Sequence, residues 1–510
     1  MSLGNLLIAM DLVSEADIDD AAAHQAHYGG DLAESLTTLG KIDAAALEAV
    51  IGTVPAAPHT IAETGLHLTA LLNLLTKAMF AANVETPTEI SQLMKLPPRI
   101  ILDLLIEAEQ RKLVSVMGNE SASLTAERRY VLTMAGVEWA RTAMSQNEYV
   151  GPTPVPLAAY CRQISRQLIA NERIDQDQIN QAFGGLVVNK ELVTKLGPAV
   201  NSGRSILLFG PPGNGKTSVA SRLGGLLKDV IYIPHAFEVD GQIVKLFDPE
   251  FHKPIRGEGD SAEREPVIRR EDYDTRWEAC RRPIIFTGGE LTLEMLDLGY
   301  LSEGRFYEAP LHIKAMGGIF LIDDFGRQLV KPTDLLNRWI VPLESRVDYL
   351  KLHSGKSFCL PFDELVIFST NLSPKDLMDT AFLRRIPYKI EVGAPCASEY
   401  RRIFKNVAIA AGLAANDKVI DGIIASTEQN RIPLARYQPK FIIDQVLAAC
   451  RFAKTKLQFQ ADHVSMALSN LFTQEVAEIA DSIAAATSRP ARFEPRLHAD
   501  IGRDEVRAAA

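Results

Sequence analysis

The sequence predicts an α/β fold: a parallel sheet followed by a helical segment and preceded by two smaller, largely helical modules. Three observations carry the prediction. A glycine-rich loop, Gly210–Thr217, follows the apolar run Ile206–Phe209 and opens a helical pattern. Two further β-rich runs, Gly318–Asp324 and Leu365–Asn371, end in polar residues where a buried strand would leave its sheet. Apolar residues recur at helical spacing before the loop and again after residue 396.

The bulk numbers agree. A chain of 510 residues, 47% apolar and 23% charged, is long enough for several domains with sizeable cores. No apolar run approaches the roughly 18 residues of a membrane span. Met1–Met10 lacks the basic start of a secretory signal. Cys161, Cys280, Cys359, Cys396 and Cys450 form no CxxC pair, and the histidines show no zinc spacing. A cytoplasmic chain without structural zinc is expected. The net charge of −10 is concentrated at the front. Asp11, Glu15, Asp17, Asp19, Asp20, Asp31, Glu34, Asp43 and Glu48 face Lys41 alone in residues 1–60. Such a segment repels a nucleic-acid backbone.

Residues 1–54 contain a weak repeat at an offset of 29, in which Leu3, Gly4, Leu7, Met10 and Val13 match Leu32, Ala33, Leu36, Leu39 and Ile42. Each half predicts a short helix, a turn and a second helix opened by Ser14 or Asp43. This pattern resembles the N-terminal domain of type II secretion and type IV pilus ATPases, some of which bind cyclic di-GMP through arginines. Here the arginine positions hold Ser2 and Asp31. A protein-docking module is therefore favoured over a cyclic dinucleotide sensor. Ile51–Thr60, with Pro55 and Pro58, is expected to be a linker.

Residues 60–150 predict three helices and a hairpin. Leu66, Leu68, Leu71, Leu72, Leu75, Met79 and Phe80 form one apolar face. Thr86-Pro87-Thr88-Glu89 is a capping box opening the second helix, and Leu96-Pro97-Pro98 opens the third. Leu113–Met117, a turn at Gly118-Asn119, and Tyr130–Thr133 make the hairpin. The order resembles a winged-helix domain. Its third helix carries Asp103, Glu107 and Glu109 at its centre, with Arg99, Arg111 and Lys112 only near the ends. A DNA-reading helix needs cations and amides along its exposed stripe, so protein contact is the expectation and DNA binding is disfavoured. Gly151–Pro156 is expected to be a second linker.

Gly210-Pro211-Pro212-Gly213-Asn214-Gly215-Lys216-Thr217 reads GxxxxGK[ST] in a strand–loop–helix setting. Glycines let backbone N–H groups curl round phosphates, and the helix start adds positive potential. Lys216 is expected on the β- and γ-phosphates, Thr217 on Mg²⁺, and Ser218 beside them, with the helix running on through Val219, Leu223 and Leu227. At the end of Gly318–Asp324, Asp323 suits the metal and Asp324 suits the attacking water.

Together with Leu365–Asn371 and Ala381–Pro387, these motifs resemble the AAA+ ATPase superfamily, over residues 157–480. The resemblance implies a P-loop AAA+ parallel sheet of five strands in residues 157–395, a helical lid in 396–485 and a short tail, 486–510. It makes Asn371 the sensor 1 residue and one of Arg384 and Arg385 an arginine finger for a neighbouring subunit, with ATP, Mg²⁺ and a homo-hexamer as cofactors and assembly. Lys440 is the expected sensor 2 position, with Arg436 one turn earlier. Tyr400, Ile403, Phe404 and Val407, then Ile442, Ile443, Val446 and Leu447, are the lid's apolar stripes. A hairpin of Val347–Leu352 and Ser357–Leu360 before the sensor 1 strand resembles the pre-sensor 1 hairpin clade, MoxR-like in outline.

Gly288–Arg305 is expected to be a helix ending in Tyr300–Tyr307, a candidate pore contact or packing segment. Arg256–Arg282 is expected to be a solvated loop, with Arg269-Arg270 a phosphate candidate. The functional expectation is an ATP-hydrolysing motor that remodels or gates a protein assembly, linked by its front module to secretion or pilus machinery. An ATP-switched DNA-binding regulator and a slow-turnover scaffold are the alternatives.

Overall fold

The computed structural model describes residues 3–28, 32–117, 127–255, 273–377 and 380–472. Contacts group the chain into two compact units. One comprises the chain up to Ala182 with Lys190–Phe209 and Lys216–Glu391; the other comprises Phe183–Asn189, Gly210–Gly215 and the chain from Val392 on.

The first unit is built on the expected five-stranded parallel sheet. Its order is Tyr388–Glu391, Ile206–Phe209, Leu365–Thr370, Ile319–Ile322, Ile284–Thr287. The central strands Leu365–Thr370 and Ile319–Ile322 are buried, and apolar up to Ser369 and Thr370 at the end of the former, because such a sheet is covered on both faces. Ile319, Phe320, Leu321 and Ile322 are each 0% exposed. Trp339, also fully buried, packs edge-on to Phe320 and Phe368 at 5.5 and 5.9 Å between ring centres. The helix after the loop, Lys216–Gly224, stops at Gly224 and does not reach Leu227 as expected. Gly224 and Gly225 remove the helical preference there.

A second, mixed sheet joins Gly299–Leu301, Phe306–Glu308, Gln242–Lys245, Ala236–Val239 and Val155–Pro156. Two expectations fail here. Gly288–Arg305 is not a helix: it holds the short 3-10 turn Glu294–Leu296 and half of the hairpin Gly299–Leu301/Phe306–Glu308. Glycines at 288, 289, 299 and 304 interrupt the helix, and Tyr300 pairs across the hairpin with Tyr307. The linker Gly151–Pro156 contains a strand, Val155–Pro156, paired with Phe237 and Glu238.

The charged segment is corrected too. Trp277–Arg281 pairs antiparallel with Val230–Pro234. Arg276 and Arg282, each 5% exposed, are buried against Asp274 and against Glu172 and Asp229. Burial of a guanidinium requires such partners, which a sequence read locally cannot show. Arg269 and Arg270 lie outside the described residues. The hairpin before the Leu365–Thr370 strand forms as expected, Val347–Lys351 against Ser357–Pro361.

At the front, helices Leu3–Ala9, Glu15–Tyr28, Leu32–Thr38 and Ala44–Thr53 carry the repeat into the backbone. The Leu12 N–H donates to the Leu7 carbonyl, and 29 residues on the Lys41 N–H donates to Leu36. Asp11 and Gly40, equally offset, both take positive φ, 55° and 66°. Ser14 caps the second helix, its Oγ accepting from the Asp17 N–H. Ser2 and Asp31 lie outside the described residues. Leu6, Leu7 and Leu36 share one apolar cluster with Val230–Ile233 and Trp277. The expected linker is partly helical, to Thr53, and Ala56 bridges to Tyr273.

Residues 60–150 hold helices Leu68–Ala82, Pro87–Met94 and Pro98–Gln110, the pair Val114–Met117/Arg129–Leu132, and an unexpected helix, Met134–Gln146. The Thr86/Glu89 capping box is present. The turn at Gly118-Asn119 lies outside the described residues. The second unit holds helices Ala397–Ala410, Asp417–Gln429, Gln438–Phe452 and Ala461–Phe472 around Tyr400, Phe404, Ile442, Ile443 and Val446. No described helix is long and apolar enough to cross a membrane.

Candidate functional site

In open α/β sheets, ligands lie beyond the carboxyl ends of the parallel strands. Three neighbouring strands of the first unit deliver side chains to that edge. Ile206–Phe209 leads, past the loop, to the helix that starts at Lys216. Ile319–Ile322 ends at Asp323, and Leu365–Thr370 ends at Asn371.

Backbone hydrogen bonds knit these ends together. The Asp323 N–H donates to the Thr287 carbonyl on one side, and the Phe325 N–H donates to the Ser369 carbonyl on the other. Between them Asp324 takes φ = 48°, a left-handed conformation that aspartate and asparagine tolerate better than most residues. Gln328, which sequence reading missed, donates from Nε2 to the Asp323 carbonyl at 3.0 Å.

Two hydrogen-bonded groups result. Thr217 Oγ1 donates to Asp323 Oδ2 at 2.6 Å. Lys216 Nζ donates to Asn371 Oδ1 at 2.6 Å, and Asn371 Nδ2 donates to Asp324 Oδ1 at 2.9 Å. Burial pulls the Lys216 ammonium below its ordinary value, against the opposing pull of Asp323 and Asp324. Ser218 is exposed on the first helical turn. Arg385 donates from Nε to Glu344 of the same chain at 3.0 Å, whereas Arg384 is exposed and pairs with no described residue.

The second unit contains the loop itself. Gly210, Gly213 and Gly215 take φ of 143°, 73° and 83°. A Cβ on Gly210 would sit 2.5 Å from the Val392 carbonyl oxygen, and one on Gly213 2.3 Å from the Tyr437 ring. Both glycines are therefore required by close approach as well as by conformation. Asn214 Oδ1 accepts from the Arg436 N–H at 3.2 Å, and the Gly213 carbonyl accepts from the Tyr437 N–H at 3.0 Å. Pro211 and Pro212 are exposed. The guanidinium of Arg436 is committed to Glu399 and the Val187 carbonyl. Lys440 is exposed one turn further along its helix. Tyr437 was missed in the sequence; its signal was an aromatic residue beside the arginine opening that helix.

The chemistry of each group, taken by itself, suits a part of a magnesium nucleotide. A glycine loop with left-handed turns exposes N–H groups to an anion. Among the described residues no group of three or more His, Cys, Asp or Glu could hold a metal. Thr217 and Asp323 supply two oxygens, which suits Mg²⁺, an ion that keeps several waters and takes phosphate oxygens.

Residues 397–470 match a family described as "Domain of unknown function (DUF8689)". No curated protein matches the sequence. Among solved structures, the RuvB Holliday junction branch migration motor of Thermotoga maritima is 16% identical, with a TM-score of 0.31, over 59% of this chain and 73% of that one. NtrX from Brucella abortus is 14% identical, with a TM-score of 0.35, over 69% and 70%. Likenesses at this level carry no argument about activity.

Proposed function

We propose that this chain is a magnesium-dependent AAA+ ATPase that works as a cytoplasmic homo-hexamer and remodels or gates a protein assembly. The observation that carries the reading is the hydrogen-bonded series Lys216–Asn371–Asp324 beside Thr217–Asp323, directly after a glycine loop. Bound Mg-ATP supplies the phosphoanhydride to be cleaved and the cation that balances its charge. Lys216 holds the β- and γ-phosphates, and Thr217 and Asp323 hold the metal. Asp324 orients the attacking water, and Asn371 fixes the Asp324 carboxylate. Arg384 is the better finger for a neighbouring subunit, since Arg385 is already paired with Glu344. The 1–54 repeat and the winged-helix-like 60–150 segment act as docking modules, the former suggesting a client in secretion or pilus machinery.

The bond that Asn371 places on Asp324 also supports a slow-turnover scaffold as a second reading. Phosphate release by the purified full chain separates the two. Magnesium-dependent turnover, with nucleotide binding lost in Lys216→Ala, is the expected result. Nucleotide binding by Lys216→Ala at the affinity of the native chain would sink the assignment of the loop.

A further inference from the structure

We propose that the exposed face of the Pro98–Gln110 helix is a docking groove for a basic, amphipathic segment of a partner protein. This rests on the reading of residues 60–150 as a docking module and names the chemistry of what docks.

The helix buries Ile100, Ile101, Leu104, Leu105 and Ala108 in its own core. That obligation does not extend to Leu102 and Ile106, which are 44% and 52% exposed. They stand one turn apart and so share a face. Each is followed by a carboxylate, Asp103 and Glu107. Opposite Ile106 the turn at Thr60, Ile61 and Ala62 forms a second wall, leaving a groove of about 370 Å³.

The charges of this groove are one-sided. Its lining carries Asp103 and Glu107 and no cation. Arg111 reaches Glu107 at 3.3 Å from the end of the helix. Asp103 is half-buried, yet no hydrogen bond or ion pair joins it to any described residue, Arg99 one turn earlier included. Among the described residues Asp103 has no cationic partner, so a cation entering the groove finds a carboxylate ready to accept a charge-assisted hydrogen bond. The repeat of apolar residue then carboxylate, once per turn, fits a segment with an aliphatic side chain each turn and arginine or lysine beside it. A phosphate backbone meets the same two carboxylates and is repelled.

The test is fluorescence anisotropy with the full chain and a short labelled helical peptide bearing leucine once per turn and arginine beside each leucine. Saturable binding is expected, weakened about tenfold or more by Asp103→Lys and by Ile106→Ser, as for loss of a central interface contact. A matched peptide with glutamate for arginine should not bind, and ATP turnover of both variants should equal that of the native chain. Absence of binding to the native chain, binding unchanged in both variants, or capture of duplex DNA that Asp103→Lys strengthens would each overturn the proposal. Were the native chain inactive towards ATP while the peptide still bound through Ile106, the hydrolytic reading would fall and the groove would stand.

Discussion

Asp324 combines a chemical demand with a backbone one. At φ = 48° the residue must tolerate a left-handed turn, which asparagine does nearly as well as aspartate. Asp324→Asn therefore isolates the carboxylate's role from the fold, and its unfolding midpoint should match that of the native chain. Gly213 is the opposite case. Gly213→Ala places a Cβ against the Tyr437 ring at a residue with φ = 73°, so denaturation should report a loss on the order of 1–3 kcal/mol. His252 sets a pH dependence. It is fully buried between the Asp248 N–H and the Lys314 carbonyl, and burial lowers its pKa to about 4. The unfolded chain titrates near 6.5, so unfolding takes up a proton in that window. The contribution is complete above about pH 6.5 and is lost as pH falls towards about 4, on the order of 3 kcal/mol in all. Urea titrations of the native chain and His252→Asn across that range check it; equal slopes with pH would contradict it.

The elements around the site are held by pairings that no local pattern announces. Asp348, at the base of the hairpin before the Leu365–Thr370 strand, is 1% exposed. It accepts from Arg338 at 2.6 Å and meets His312 at 2.8 Å, tying the hairpin to the helix Pro332–Arg338. Arg338→Ala leaves a buried carboxylate short of a partner and should cost about 3–5 kcal/mol by denaturant unfolding. Lys195→Ala, which breaks an exposed pair with Glu191, should cost under about 0.5 kcal/mol. The same contrast explains what was legible in the sequence. Ile319–Ile322 and Leu365–Phe368 are continuous apolar runs because each is covered on both faces, so composition alone exposes them. The buried strand Trp277–Arg281 depends on Val230–Pro234, far along the chain, and the hairpin Gly299–Leu301/Phe306–Glu308 joins its sheet through the distant Gln242–Lys245. Arg276 and Arg282 read as surface charge until Asp274, Glu172 and Asp229 are brought to them. The approach of Arg436 and Tyr437 to Asn214 and Gly213 is likewise tertiary, whereas the loop motif is local.

For the whole molecule, the proposed hydrolytic site is one shared between copies, with Arg384 as the proposed finger for a neighbour. Lys216→Ala keeps Arg384, and Arg384→Ala keeps the nucleotide loop. Each variant alone should be inactive, and mixing them should restore part of the turnover; a mixture as silent as its components would contradict the shared site. The central claim is narrower than the assembly: that Asp324 works on a nucleotide held by Lys216 and Thr217. It is tested most directly by measuring ATP binding and phosphate release together on the full chain carrying Asp324→Asn. The account predicts native affinity in the presence of Mg²⁺ with release slowed by about 10²-fold or more. Release at the native rate, with binding intact, would contradict it.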